Sequence, residues 1–416
     1  MKILQINNVY DFGSTGKITA DLHREMLAQG IESVVCYGRR QKTQDPQVYK
    51  TCGEFESHVQ HLIANVTGLM YGGCGPSTAR LIRIIQREQP DLVHLQCLNG
   101  YFVNIYRLLG WLKAHRIKTV LTLHAEFMYT ANCGHALDCE KWKTGCGQCP
   151  DLRSATGSYG ADRTAESWRR MQQAFAGFEQ DLTAVSVSPW LMNRAQQSPV
   201  LQGFDHRVIY NGIDTGIFQP VSAQELRKKH GLEGKTVLLH VSPRFTDQPD
   251  HLKGGSCVLE LARRMPNAEI LVAGPHEITG SVPENVTLLG PVLDQKLLAQ
   301  YYSLADATVL TSKRETFSMV CAESLCCGTP VAGFLAGGPE MISLPEYSCF
   351  VPWGQMEQLE SAAQKMICTT MDSAAVQRAA SVYSRQRMTQ SYCGLYREIL
   401  QAAPGQSAEY LMQTQK

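Results

Sequence analysis

An α/β architecture with two open parallel sheets follows from three features of this chain. Its 416 residues exceed one ordinary core and suit two domains of roughly 200 residues each. Short apolar strand patterns alternate with helical periodicity, the rhythm of parallel strands joined by crossover helices. After Val208 that alternation starts afresh, which predicts a second sheet.

Lys2 to Asn7 reads as the first strand. Ile18 to Gln29 places Ile18, Leu22, Met26 and Leu27 at helical spacing, Gly30 stops the helix, and Ser33 to Tyr37 forms the next strand. A helix at Ser77 to Glu88, a strand at Leu92 to Gln96, a helix at Val103 to His115, and strands at Thr119 to His124 and Leu182 to Val187 complete the first set. Val208 to Asp214, followed by Phe218 and Pro220, marks the passage between domains. The second set has strands at Val237 to Val241, Glu269 to Ala273, Val286 to Leu289, Ala307 to Leu310 and Pro330 to Phe334, and ends near Phe350. From about Tyr383, the spacing of Tyr392, Leu395, Tyr396 and Leu400 predicts a closing helix, and the polar last dozen residues are expected to fray. The domains are therefore 1–207 and 208–383, with a closing segment at 384–416. Ligands on such sheets bind beyond the carboxyl ends of the strands, so two facing sheets would hold their binding loops across a common cleft.

Composition narrows the function. Apolar residues make up 44% and charged residues 19%, and the net charge of +1 gives no electrostatic footprint for nucleic acid. Met1 leads straight into a strand pattern without a signal-peptide core, and no apolar run reaches the ~20 residues of a membrane span. The expected compartment is the cytoplasm. Most of the 15 cysteines, such as Cys36, Cys97, Cys257, Cys321 and Cys349, stand singly in apolar surroundings, where a reduced thiol is a small core residue. Cys133, Cys139, Cys146 and Cys149 differ, with four sulfurs within 17 positions and a C-x2-C knuckle at the end. That spacing predicts a structural zinc, with His135 as a replacement ligand, or free thiols lining a compact loop.

The densest chemistry lies between Ser312 and Glu340. Glu315 and Glu323 stand eight positions apart between two strand patterns. If Phe317 to Cys326 is helical, its first-turn N–H groups suit a phosphate. The layout fits a polyhydroxylated, phosphorylated ligand: one carboxylate for each set of hydroxyls, and N–H groups for the diphosphate between them. In the first domain, Gly13-Ser14-Thr15-Gly16 follows the first strand and is read as a loop where backbone approaches an anion closely. His124 closes a strand, where an imidazole can contact a hydroxyl.

This stretch resembles the signature of the family-4 glycosyltransferases, retaining enzymes of the GT-B fold. The motif E-x7-E followed by G-x-P-V-x-A-x-x-x-G-G-x-x-E is met by Glu315, Glu323, Gly328, Pro330, Val331, Gly337, Gly338 and Glu340, with the alanine displaced to Ala332. The resemblance implies two Rossmann-like domains facing across a cleft, with a C-terminal helix crossing back to the first. It implies transfer of a hexose-type sugar from a nucleotide-diphosphate donor to a saccharide or lipid-linked acceptor, with retention, in surface polysaccharide synthesis. Arg244 and Lys253 would then neutralise the leaving group, although 246–252 is longer than the family's spacer. Glu315 and His124 would meet the sugar or acceptor and Glu323 the ribose. Phe317, Ser318 and Met319 would contribute backbone N–H groups, and Gly13 and Gly16 would bind beside the diphosphate.

No D-x-D pair is present to hold a divalent ion. Glu54-Phe55-Glu56 and Asp138-Cys139-Glu140 are the nearest approaches, so no catalytic cofactor is expected. Many relatives carry aspartate where this chain has Ala125, and Glu126 is the nearest substitute. Arg80, Arg83 and Arg87 share one helix face, which fits either peripheral contact with the inner membrane surface or an ordinary solvated face. A nucleotide-sugar epimerase and a non-catalytic sugar or lipid binder are the alternative functions.

Overall fold

The computed structural model describes residues 1–401; the polar tail expected to fray lies outside the described residues. The chain forms two compact units, one of Met1–Ile209 joined by the segment from Met388 onward, the other Tyr210–Arg387.

The first unit holds a seven-stranded sheet of β1 (Lys2–Asn7), β2 (Glu32–Tyr37), β3 (Val48–Lys50), β4 (Leu92–Leu95), β5 (Thr119–Leu123), β6 (Leu182–Ser186) and β7 (Asp205–Val208). Every pairing is parallel, in the order β3-β2-β1-β4-β5-β6-β7. The second unit has β8 (Thr236–Val241), the short β9 (Phe245–Thr246), β10 (Ala268–Ala273), the short β11 (His276–Glu277), β12 (Val286–Gly290), β13 (Ala307–Leu310), β14 (Val331–Phe334) and β15 (Ser348–Val351). Its main sheet runs β12-β10-β8-β13-β14-β15, while β9 and β11 pair separately. Each main sheet thus winds outward from its first strand, then reverses, at β1/β4 and at β8/β13. In doubly wound sheets that reversal opens a crevice at the strand carboxyl ends.

Central strands buried on both faces must be apolar along their length. Ile3, Leu4 and Ile6 of β1 and Leu92, Val93 and Leu95 of β4 are fully buried. In the second unit, Leu238, Ile270, Val309 and Ala332 of the sheet share a core with Val258 and Leu261 of the helix Gly255–Arg264 and Leu359 of the helix Met356–Ile367.

The first sheet also buries polar side chains at its centre, and Gln5, His94, Gln96 and Thr122 meet one another or the closing helix, as burial favours. Gln96 Nε2 donates to Gln5 Oε1 at 3.1 Å. The His94 ring lies between Thr122 Oγ1 and the Tyr396 hydroxyl, both at 2.7 Å, and Thr122 meets the Tyr392 hydroxyl at 2.8 Å. Both tyrosines come from the closing helix Arg385–Gln401, which is fastened to this sheet by polar contacts as well as by buried Leu395.

Two helix starts differ from expectation. The helix predicted from Ile18 begins at Gly13 and runs to Ala28, so the glycine-rich stretch is its first turn and not a loop before it. Gly13 has φ +63°, and Gly16 lies so close to Val9 and Asp11 that a Cβ would meet Val9 Cγ2 at 3.0 Å. Asp11 N–H donates to the Gly16 carbonyl at 3.0 Å, which folds the preceding loop onto that turn. The helix expected from Phe317 begins at Met319, because Ser318 caps it at φ +85°. Among the described residues, no helix is long and apolar enough to cross a membrane.

Burial pushes His94 down to about 3 and His124 down to about 4 from an ordinary value of 6.5. The folded chain therefore binds fewer protons than the unfolded chain between these values, and its stability is complete above the unfolded value and lost as pH falls below it. Calorimetric melting midpoints are expected to decline between about pH 7 and about pH 5, with a shallower slope in His124→Gln.

Candidate active site

In the second unit the chemistry gathers where β8 and β13 end. The chain leaving β8 passes Arg244 and returns to Lys253 and Gly254, the N-cap of the helix Gly255–Arg264. Gly254 has φ +64°, and an added Cβ would overlap the Thr311 carbonyl oxygen. Thr311 Oγ1 also donates to the Lys253 carbonyl at 3.0 Å, so the lysine loop is fastened to the end of β13. From there Lys253 Nζ reaches Glu315 Oε1 at 2.5 Å, and Ser312 Oγ donates to the same oxygen at 2.8 Å. Both partners are about a quarter exposed, at 24% and 22%. The pair is sheltered yet reachable.

The turn after β14 holds Glu315 in place through its backbone. Glu315 N–H donates to the Ala336 carbonyl, and Gly338 N–H donates to the Glu315 carbonyl. A side chain at Gly338 would press within 2.6 Å of the Phe317 nitrogen. Glu340 accepts from the Ala336 and Gly337 N–H groups at 3.1 and 2.7 Å. The Gly-Gly-x-x-Glu motif is thus a clamp on the loop carrying Glu315.

The remaining predicted residues of this unit hold other partners. Glu323, on the helix Met319–Cys326, accepts from the Tyr302 hydroxyl at 2.9 Å. Phe317 is buried edge-on against Tyr210 and Tyr383, which leaves backbone as its contribution. Arg244 is bonded to neither carboxylate of the motif. It pairs with exposed Glu277 at 2.6 Å, an arrangement worth little in water. Its charge still reaches the neighbourhood of Lys253: His251 is lowered by burial and then by both cations. His240 went unassigned in the sequence, although it closes the strand before the arginine loop. Its Nδ1 donates to the Val309 carbonyl at 3.0 Å, linking β8 to β13, and burial holds it near 4.

In the first unit, His124 Nε2 meets Gln96 Oε1 at 2.7 Å, which joins it to the Gln5–Gln96 pair. Its low value keeps the ring neutral at physiological pH, so it can take part in hydrogen bonds but brings no charge. Gly13 is exposed and Gly16 buried in the helix's first turn. Arg80, Arg83 and Arg87 are all exposed along their helix.

Two expectations are corrected here. Glu126 does not replace the missing aspartate: it is fully buried, accepting from Arg194 Nε at 2.6 Å, the Tyr129 hydroxyl at 2.5 Å and the Ala136 N–H. Its carboxylate holds the loop that follows it. Nor do Cys133, Cys139, Cys146 and Cys149 converge. Among the described residues one group of His, Cys, Asp or Glu donors lies within 4.8 Å of one another, and it contains none of these four. Buried Trp142 stands in the loop with its Nε1 on the Cys139 carbonyl at 2.8 Å, and Cys146 Sγ donates to the Thr130 carbonyl at 3.7 Å, so tryptophan and carboxylate give the loop its core.

Removing one partner of a buried ion pair strands the other. Glu126→Ala is expected to cost about 3–5 kcal/mol, read as a lower urea midpoint at unchanged slope.

Comparison with known proteins agrees with this geometry. The profile described as Glycosyltransferase Family 4 matches residues 15–216, and that described as Glycosyl transferases group 1 matches residues 256–369. A protein of Escherichia coli (strain K12) named for colanic acid biosynthesis as the glycosyl transferase WcaC is 25% identical over 96% of this chain and 100% of its own length. N-acetyl-alpha-D-glucosaminyl L-malate synthase of Bacillus anthracis is 23% identical over 64% of this chain and 62% of its own. Among solved structures, sucrose-phosphate synthase of Thermosynechococcus elongatus superposes with a TM-score of 0.67 at 16% identity, covering 97% of this chain and 100% of that one. HepE of Anabaena, solved in complex with UDP-glucose, gives 0.60 at 16% identity, covering 96% and 100%. With one profile on each sheet and the E-x7-E motif at the second switch point, the chain belongs to the group 1, family-4 glycosyltransferases of the GT-B fold.

Proposed function

We propose that this glycosyltransferase moves a hexose-type sugar from a nucleotide-diphosphate donor to a saccharide or lipid-linked acceptor, with retention, in surface polysaccharide synthesis. One observation carries the reading: the 2.5 Å contact of Lys253 Nζ with Glu315 Oε1 at the carboxyl ends of β8 and β13. Departure of the nucleotide builds negative charge on the diphosphate, and a fixed ammonium beside the sugar-binding carboxylate stabilises it as it forms. The N–H groups of the first turn of the helix Met319–Cys326, one of them capped by Ser318 Oγ, add partial positive charge, and Arg244 adds long-range attraction. Lys253 and Ser312 both bond Oε1 of Glu315, so Oε2 is the atom assigned to sugar hydroxyls. Glu323 is assigned to the ribose.

On the first unit, Gly13, Gly16 and neutral His124 are assigned to hydrogen bonding with sugar, acceptor or diphosphate oxygens. A lipid-linked acceptor would find its headgroup contact on the Arg80, Arg83 and Arg87 face. The UDP-glucose complex of HepE supports a nucleotide-sugar donor, and the name of the E. coli relative supports the polysaccharide context.

The test measures nucleoside-diphosphate release from pooled donors and acceptors. Lys253→Ala and Glu315→Gln should each raise the barrier by roughly 3–4 kcal/mol, about 100- to 1,000-fold in kcat, with melting midpoints close to the parent protein. Equal release by the parent and Glu315→Gln overturns the assignment. An epimer formed from donor alone favours the epimerase, and a product with inverted anomeric configuration by NMR removes retention.

A further inference from the structure

The group of converging donors in the first unit is Cys52, Glu56 and Cys74. Their two sulfurs and one carboxylate oxygen lie within 4.8 Å of one another, and the thiols are almost fully buried at 2% and 1% exposure. Ligands of a tetrahedral zinc with metal–sulfur bonds of about 2.3 Å stand about 3.8 Å apart, so a small movement closes the set. The three come from separate turns. Cys52 precedes the helix Glu54–Thr67, Glu56 sits in that helix's first turn, and Cys74 caps the helix Gly75–Glu88. Glu56 Oε1 accepts from the Ser77 N–H at 3.1 Å, which aims the carboxylate at the second helix.

Cys74 holds φ +59°, a left-handed conformation that a residue with a Cβ adopts at a cost, and one that clusters at functional sites. It also lines a cavity of about 180 Å³ with Tyr71, Gly73 and Tyr101, which provides a route inward. Cys52 Sγ donates to the Gly53 carbonyl at 3.3 Å and Cys74 Sγ to the Tyr101 carbonyl at 3.0 Å, so each thiol now spends its proton on a backbone oxygen that a metal would release.

We propose that Cys52, Glu56 and Cys74 bind one soft divalent cation of the zinc class, which clamps the first turns of the helices Glu54–Thr67 and Gly75–Glu88 together. Two thiolates and a carboxylate favour such an ion over magnesium or calcium, and three protein donors leave the fourth position to water. None of the three donors is among the residues assigned to sugar transfer, and the proposal does not depend on that assignment.

The experiment titrates the reduced full-length chain with Co²⁺ alone. The expected result is one equivalent bound, with thiolate-to-cobalt charge transfer and the intense visible bands of four-coordinate cobalt, displaced by Zn²⁺. The double variant Cys146→Ser/Cys149→Ser should keep these bands, and Cys52→Ser or Cys74→Ser should abolish them. Glu56→Gln should weaken binding by at least about 10-fold, the lower end of what an outer-sphere partner is worth. Should a cysteine variant misfold, alkylation of the parent decides: Zn²⁺ should slow labelling of Cys52 and Cys74, and a chelator should restore it. No bound cobalt, bands lost in the Cys146/Cys149 variant, or a Cys52–Cys74 disulfide in metal-free protein overturns the proposal.

Discussion

A parallel strand cannot pair with its successor through a tight turn; it needs a crossover, and the chain can make that crossover toward either side of the first strand. In both units the winding goes one way and then the other, and the loops on either side of the reversal are left uncovered at the strand ends. Everything chemical here follows from that constraint. Lys253 and Glu315 are 62 positions apart, yet both sit on loops flanking the β8/β13 reversal, where Thr311 ties one loop to the other. His124, Gln96 and the helix opening at Gly13 lie around the corresponding ends in the first unit. Glycines without room for a Cβ, at 254 and 338, let these loops approach closely enough for the charged groups to touch.

The first sheet carries an unusual share of hydrogen-bonding side chains in its interior. Gln5, His94, Gln96 and Thr122 are fully or almost fully buried, and the closing helix answers them with two tyrosine hydroxyls. Apolar contact alone would let that helix slide along the sheet. Directional bonds fix its register, because each misplaced hydroxyl would leave a buried partner unmet.

Much of this was legible from local pattern. The strand Ala307–Leu310 and the end of the helix at Glu88 lie where periodicity puts them, since a buried parallel strand is a short apolar run and an amphipathic helix shows its stripe. Strand order was not legible, because pairing between distant segments leaves no periodic trace. The start of the helix at Gly13 was missed for a physical reason: glycine is a poor helix former, and only the loop 9–11 folding onto Gly16 makes a helical turn there. The cysteines misled in both directions. A C-x2-C knuckle at 146–149 suggested convergence that a tryptophan-filled loop does not provide, while Cys52 and Cys74, 22 positions apart, carried no spacing signal at all. Within the E-x7-E motif the glutamates were readable, but their partners Ser312, Lys253 and Tyr302 come from the fold.

The Arg194 guanidinium that grips Glu126 is flanked by the rings of Trp142 and Trp190, at 4.9 and 5.2 Å, and Trp168 donates to the Trp142 carbonyl at 3.0 Å. Two of the chain's five tryptophans therefore flank a single cation beside the cysteine loop, and a third is bonded to one of them. Such a cluster makes the loop its own optical reporter, because indole emission responds to a charge over the ring. Release of the loop would change the native fluorescence without any dye or label.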